Sequence, residues 1–185
     1  MSPGLRLLTL SVAVLVLISC SKSKEALLLK AAKQGDAEKV VFFLKSGVSV
    51  EAKDGLGYTA LMKAAANGQE EVANLLIENK ADVNTATVFG TTALMQAAWN
   101  GHLKIVRILV ESKADIHMQG AGGWTALYFA SLSGQDYPEI VKFLLEKGAN
   151  PNIKDQIGMT PLQWIDSGRY RPEIVKILRQ YGAKG

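Results

Sequence analysis

The sequence predicts an all-α solenoid in which one helix–turn–helix unit recurs along the chain. A pattern of glycine, a variable residue, threonine, alanine or proline, and leucine occurs four times, with threonines 33, 33 and 35 residues apart. A fixed period of this length indicates a repeat array. The second half of each unit carries apolar residues at i, i+3 and i+4, the pattern of an amphipathic helix. The four threonines are Thr59, Thr92, Thr125 and Thr160.

Each residue of this pattern has a physical role. The glycine allows a tight turn at positive φ, which is costly for other residues. The threonine hydroxyl is suited to cap the helix that follows, and Pro161 fits the first helical position of the last unit. Paired alanines, as at Ala64 and Ala65, predict close approach of neighbouring helices. The turn glycines are Gly57, Gly90, Gly123 and Gly158.

The units resemble ankyrin repeats, on the run from Gly57 to Gly68 and its later copies. This resemblance implies antiparallel helix pairs joined by β-hairpin loops, with the first and last units acting as caps. The family usually has glycine after the second helix, where this chain has Lys80 and Lys113. A left-handed residue other than glycine costs about 1 kcal/mol. The five predicted repeats of the domain 24–185 cover about 24–53, 54–86, 87–119, 120–154 and 155–185.

The N-terminal segment has a different character and predicts export. Arg6 precedes an uncharged apolar run from Leu7 to Ile18, which is shorter than the roughly 20 residues of a membrane-spanning helix. A basic start and a short apolar run are typical of a signal peptide, here 1–19, although a buried helix of the fold is the alternative. The sequence ending at Cys20 resembles the lipobox of bacterial lipoproteins. It implies a lipidated Cys20, a tether at 20–23 and a periplasmic location, with Ser21 favouring the outer membrane over the inner.

The residues for catalysis or metal binding are scarce. The chain has two histidines and one cysteine. The resemblance implies a structural hydrogen-bonding role for His102, and His117 replaces the asparagine seen at Asn84 and Asn152, so both are expected to be structural. The sequence therefore lacks the residues for a catalytic Cys–His pair or a zinc cluster, and it contains no phosphate-binding glycine motif. The formal net charge of +4 is too mild for a nucleic-acid footprint. We expect a protein that is not an enzyme, with no cofactor, no metal and no nucleic-acid partner.

Binding residues are predicted where the repeats vary. In ankyrin proteins the hairpin tips and first helices line a concave groove, and the residues beside the turn glycine are usually free of structural duty. Apolar and aromatic residues at these positions predict one exposed stripe, and such stripes mark interaction sites. An alternative is that several of these rings pack between repeats. The predicted partner-binding residues are Leu56, Tyr58, Phe89, Trp99, Asn100, Trp124, Leu132, Ile157 and Met159.

The loops between the two helices of the fourth and fifth repeats are longer than the others. We expect either a tolerated extension or a secondary contact loop formed by Tyr137, Tyr170 and Arg171. Five further large side chains are predicted to lie in the core. They are Met62, Met95, Tyr128, Phe129 and Trp164.

The predicted function is a non-enzymatic interaction module that is lipid-anchored in the bacterial envelope. Its partner would be another envelope protein, such as a cell-wall hydrolase that it inhibits or stabilises. That step is an analogy with exported ankyrin proteins. The alternative is a ligand-binding module for peptidoglycan or another envelope polymer, in which Trp99 and Trp124 stack on sugars. A secreted effector acting in a host is a further alternative, which the lipobox disfavours.

Overall fold

A computed structural model describes residues 23–167 and 171–185 of the chain. Cys20 and Tyr170 lie outside the described residues. Within them, helices pair in five successive units, as the period predicts. The first helices are α1 (23–34), α3 (Ala60–Ala66), α5 (Ala93–Trp99), α7 (Ala126–Leu132) and α9 (Pro161–Asp166). The second helices are α2 (Ala37–Lys45), α4 (Glu70–Glu78), α6 (Leu103–Glu111), α8 (Pro138–Glu146) and α10 (Pro172–Gln180).

The helices form two layers that run along the solenoid. First helices pack on first helices, with contacts from α3 to α5, α5 to α7 and α7 to α9. Second helices pack in the same order from α2 to α10. The paired alanines of α3 and α5 are fully buried, as are Met62, Met95 and Tyr128. Phe129 and Trp164 are half-buried and pack against this core. The predicted all-α repeat solenoid is confirmed.

The predicted threonine caps form in three of the four repeats. The hydroxyl oxygens of Thr59, Thr92 and Thr160 each accept a hydrogen bond of 3.3 Å from the backbone N–H three residues later. Thr125 differs, because its buried hydroxyl has no hydrogen-bond partner. Its backbone dihedrals, φ −93° and ψ 175°, are like those of the other three, so the side-chain orientation makes the difference. The predicted cap at this repeat is therefore wrong.

Residues with a left-handed backbone conformation occur at two places in the repeats, in the hairpin turn and after the second helix. The four turn glycines have φ between +70° and +85°, as predicted. After the second helices, Gly47, Gly148 and Gly182 have positive φ, and so do Lys80 at +69° and Lys113 at +71°. The two lysines therefore hold the strained conformation that the sequence predicts for them.

At three of the four junctions, the side chain at one aligned position, that of Glu51, Asn84, His117 and Asn152, bridges to the next repeat. Asn84 Oδ1 accepts from the backbone N–H of Asp115 at 2.7 Å, and its Nδ2 donates to Lys113 O at 3.4 Å. Asn152 makes the same pair of bonds to Lys184 N–H and Gly182 O, at 2.7 and 2.9 Å. Glu51 accepts from Asp82 N–H at the first junction. His117 occupies this position in the third repeat, and its exposed ring makes no such bond to the described residues.

The two ends of the solenoid differ in polarity. At the last repeat Lys176, Arg179 and Lys184 are exposed, as a polar cap requires. The first unit exposes lysines but also Leu27 and Phe42, at 45% and 65% of their surface. Of the aligned residues in later repeats, Ala60 and Phe143 are buried, and Leu75 and Ile108 are half-buried. The outer end of the first unit is therefore only partly polar.

Candidate functional site

The tips of the four hairpins form one row along the solenoid. The backbone N–H of Val88 donates to Leu56 O at 3.1 Å, and that of Ala121 donates to Phe89 O at 2.7 Å. Gln156 N–H completes the row by donating to Gly122 O at 2.9 Å. These bonds fix the side chains of successive tips beside one another. We call the surface made by the hairpin tips and the first helices the hairpin face.

Large apolar side chains are exposed on this face. Leu56 is 51% exposed, Phe89 54% and Ile157 72%, all at the predicted tip positions. Trp99, at the end of α5, is 41% exposed. Val88, which sequence reasoning did not select, is 68% exposed. Most of the large hydrophobic side chains that the described residues expose therefore lie on the hairpin face, and such surfaces mark interaction sites.

Five rings pack into one network across three repeats, with the exposed Trp99 at one end. We call Trp99, Phe129, Trp124, Tyr128 and Trp164 the aromatic network. Trp124 is at its centre, stacked on Tyr128 at 6.1 Å between ring centroids and edge-on to Phe129 and Trp164 at 5.8 and 5.9 Å. Trp99 meets Phe129 edge-on at 5.8 Å. Trp124 is thus half-buried packing between repeats, as the alternative interpretation of the sequence proposed.

Asp155 joins the aromatic network to the last hairpin. Its Oδ1 accepts from the backbone N–H of Ile157 and Met159 at 3.0 and 2.9 Å. Its Oδ2 accepts from the indole N–H of Trp164 at 2.6 Å and of Trp124 at 3.4 Å. Burial alone would raise the pKa of this carboxyl, but these donors stabilise the carboxylate and hold its pKa below the usual value. The group is therefore a buried anion, with 8% of its surface exposed.

Tyr128 is the buried end of the network. Its hydroxyl donates to Ile153 O at 3.1 Å and also contacts Met159 O. Burial, with the nearby Asp155 charge, raises the pKa of Tyr128 to about 12. The phenol is neutral and structural, because its one hydroxyl hydrogen is directed at backbone carbonyls and its pKa is far above neutral pH.

The remaining predicted binding residues fall into two groups. Tyr58, Asn100 and Met159 lie on the hairpin face, half-buried or exposed. Leu132 does not belong there, because only 5% of it is exposed. Helix α7 ends at Ser133 in an extended conformation, φ −54° and ψ 161°, and we attribute the burial of Leu132 to the longer loop that follows. The prediction that Leu132 is part of an exposed stripe is wrong.

The predicted secondary contact loop is a brace between repeats. Arg171 is 8% exposed. It donates to Gln135 O at 3.0 Å, pairs with Asp136 at 2.5 Å and also binds Ser133 O. Tyr137 is half-buried, and its ring lies where a Cβ on Gly101 would be. Arg171 is therefore not free to contact a partner, which corrects the sequence prediction.

His102 has the structural role that was predicted for it. One ring nitrogen lies 3.3 Å from Ala66 O of the preceding repeat. The ring packs on Gly68, where a Cβ would come within 2.9 Å of it. Within residues 23–167 and 171–185, no cluster of three His, Cys, Asp or Glu side chains could hold a metal ion. No helix of that part of the chain is long and apolar enough to cross a bilayer.

Comparison with known proteins identifies the repeats. The family model described as "Ankyrin repeats (3 copies)" matches residues 28–120, 87–155 and 114–185. The chain belongs to the ankyrin-repeat family. Ankyrin repeats mediate binding to other proteins, and proteins built from them are generally interaction modules rather than enzymes.

One curated ankyrin relative comes from a virus. The chain is 53% identical over 45 residues to the ankyrin repeat protein L92 of Acanthamoeba polyphaga mimivirus. The match covers 24% of this ankyrin chain and 11% of the viral protein. It supports the repeat assignment.

Proposed function

We propose that this ankyrin protein is a lipid-anchored interaction module of the bacterial envelope that binds another envelope protein through its hairpin face. The observation that carries the binding role is the exposure of Leu56, Phe89, Trp99 and Ile157 along one face. Large apolar side chains are costly to leave in water. Fully burying one contributes about 1.5–3 kcal/mol, and these side chains, which are about half exposed, would each gain roughly half of that beneath a partner before the costs of association. An ordered backbone row holds the tips in place, so little conformational entropy is lost on binding.

The anchoring part of the proposal comes from the lipobox-like sequence that ends at Cys20. The three spacer residues 21–23 span at most about 10 Å even when fully extended, so a lipid on Cys20 would keep the repeats close to the membrane surface. The partner is then an envelope protein at that surface. Its inhibition or stabilisation, as for a cell-wall hydrolase, is the most economical role for a domain that can cover a cleft.

Two experiments test the two halves separately. For anchoring, cells producing wild type or Cys20→Ser are labelled with a palmitate analogue and fractionated. Label and membrane association in wild type alone are expected. An unlabelled wild-type protein with its residues 1–19 intact contradicts the anchor.

For binding, immobilised wild type and variants are compared in capture from envelope extract. The Phe89→Ala/Trp99→Ala variant is expected to lose a specific partner, because both residues lie on the hairpin face. Phe42→Ala is the control, since Phe42 is more exposed than Phe89 or Trp99 but belongs to the first unit and not to the hairpin face. Equal capture by all three proteins refutes the hairpin face as the binding surface. If the partner is a hydrolase, added wild-type protein is expected to change its activity.

The second candidate function is binding of an envelope polymer, and the exposed Trp99 is the observation that favours it. An exposed indole can stack on a sugar ring, and Trp99 is 41% exposed. Leu56 and Ile157 cannot form such stacks, so the composition of the face favours a protein partner. Co-sedimentation with purified cell-wall material, lost in Trp99→Ala but not in Ile157→Ala, would establish the polymer instead.

A further inference from the structure

The hairpin face contains a pocket of about 270 Å³ between the fourth and fifth repeats. Two indole rings form its walls, and the Asp155 carboxylate lies among them. Ligand pockets are usually about 300–1,000 Å³, so this one suits a single side chain. We call it the indole pocket. It is lined by Ala121, Gly122, Trp124, Asp155, Gln156, Ile157 and Trp164.

The charge in this pocket has no counter-ion in the described part of the chain. Four N–H groups satisfy the oxygens of Asp155, but all four are neutral donors. The ion pairs of residues 23–167 and 171–185 do not include Asp155. A buried carboxylate normally has a cation nearby, because desolvation of an isolated charge is expensive. The indole pocket is thus a negative, apolar-walled site.

The second repeat shows what the same position looks like when a cation is present. Asp54 aligns with Asp155 and makes the same two backbone hydrogen bonds within its hairpin, both at 3.0 Å. Nine residues later, Lys63 places its ammonium nitrogen 2.8 Å from Asp54 Oδ2. The same nitrogen lies 4.2 Å from the ring centroid of Tyr58. Here the chain supplies a carboxylate, an aromatic ring and an ammonium group together.

In the fifth repeat a neutral indole N–H takes the place of this ammonium group, because Trp164 Nε1 donates to Asp155 Oδ2 at 2.6 Å, so the carboxylate is hydrogen-bonded but its charge is not neutralised. Trp164 stands nine residues after Asp155, where Lys63 stands after Asp54, and the ring of Trp124 adjoins it. Indole faces attract cations more strongly than other aromatic faces do. Gly122 carries no side chain at the tip position, whereas the other three tips carry Leu56, Phe89 and Ile157. The pocket is therefore open beside a carboxylate and two indoles.

We propose that the indole pocket receives an alkylammonium side chain, that of a lysine on the partner protein. The aliphatic stem packs on Trp124, Trp164 and Ile157. The ammonium group supplies to Asp155 the positive charge that Lys63 supplies to Asp54 in the second repeat. This inference rests on the proposed function, since it names the chemistry by which the hairpin face recognises its partner. It also predicts that binding weakens as ionic strength rises.

The test is a titration of the purified protein followed by NMR of the indole N–H groups. The chain has three tryptophans, so three indole signals report separately on Trp99, Trp124 and Trp164. The probe is Nα-acetyl-lysine methylamide, and its matched control is the norleucine analogue, which has the stem without the charge. We expect the lysine probe to shift the indole signals of Trp124 and Trp164 saturably, with a millimolar dissociation constant, and to shift that of Trp99 less. The norleucine analogue should bind at least fivefold more weakly. Equal binding of both probes, or no shift by lysine, overturns the proposal.

Two variants test the electrostatic part without breaking a hydrogen bond. The exposed side chain of Gln156 lines the pocket and has no side-chain hydrogen bond within the described residues. Gln156→Lys is expected to weaken binding of the lysine probe several-fold, and Gln156→Glu to strengthen it. Affinity that does not respond to this change of sign overturns the proposal. Asp155→Asn is expected to abolish binding of the lysine probe. If that variant does not fold, the two Gln156 variants still test the proposal.

The outcome for the partner separates this inference from the proposed function. If the envelope partner is captured equally by wild type and Gln156→Lys, but is lost by Phe89→Ala/Trp99→Ala, the lysine assignment fails and the hairpin face stands. If no partner depends on the hairpin face while the lysine probe still binds the pocket, the proposed function fails alone.

Discussion

Replacing His117 with asparagine should stabilise this ankyrin domain. His117 occupies the position at which Asn84 and Asn152 each bridge to the next repeat with two hydrogen bonds. The backbone groups that would receive the bridge are Gly148 O and Asn150 N–H, which make no backbone hydrogen bond within the described residues. The structure thus offers a donor and an acceptor that His117 leaves unused.

The size of the effect follows from the two bonds gained. A typical hydrogen bond contributes about 0.5–1.5 kcal/mol net, so His117→Asn is expected to add roughly 1–2 kcal/mol to the free energy of unfolding. For a domain of this size, 1 kcal/mol shifts the melting temperature by about 2–4 °C. The increase should appear in urea unfolding as a higher midpoint with an unchanged slope.

The matched control reverses the exchange where the bridge already exists. Asn152→His removes the bonds to Gly182 O and Lys184 N–H and should destabilise the domain by a similar amount. Circular dichroism during thermal and urea unfolding measures both variants. A His117→Asn protein that is no more stable than wild type, beside an Asn152→His protein that is unchanged, would refute the bridge as a stabilising element.

Three further predictions concern stability. Lys113→Gly should add up to about 1 kcal/mol, because φ is +71° there, and an unchanged urea midpoint would contradict this. Thr92→Val removes a helix-cap hydrogen bond and should lower the free energy of unfolding by about 1 kcal/mol. Thr125→Val should be neutral or stabilising, because that buried hydroxyl has no partner, and equal losses for the two variants in calorimetry would contradict this difference. Trp164→Phe removes a donor to Asp155 and should cost about 1.5–3 kcal/mol at pH 7. The folded-state pKa of Asp155 is lowered, so the stability that its carboxylate contributes is present above the unfolded pKa near 3.8 and is lost as pH falls through the folded-state pKa. The stability loss of Trp164→Phe, measured by urea unfolding, should therefore be smaller near pH 3 than at pH 7.

The repeat architecture could be predicted from the sequence because its determinants are local. The turn glycines, three of the threonine caps and the strained Lys80 and Lys113 follow from backbone geometry within one unit. The hairpin tips Leu56, Phe89 and Ile157 could also be placed, since their position relative to the glycine fixes their exposure.

The contacts between repeats were harder to predict, because they depend on side-chain orientation. Leu132 and Trp99 stand at aligned positions, yet one is buried and the other exposed, and the longer loop after α7 makes the difference. Arg171 resembles a free surface residue in sequence but binds carbonyls of the preceding loop. Asp155 was not selected at all. Its alignment with Asp54, together with tryptophan in place of Lys63, was the signal that could have revealed the indole pocket.

Site-specific photo-crosslinking in intact cells tests the hairpin face most directly. A benzophenone side chain is placed at Phe89, at Ile157 or, as the control, at Phe42. The proposal predicts adducts with the same envelope protein from Phe89 and Ile157 and none from Phe42. Adducts from Phe42 alone, or equal adducts from all three positions, would contradict it.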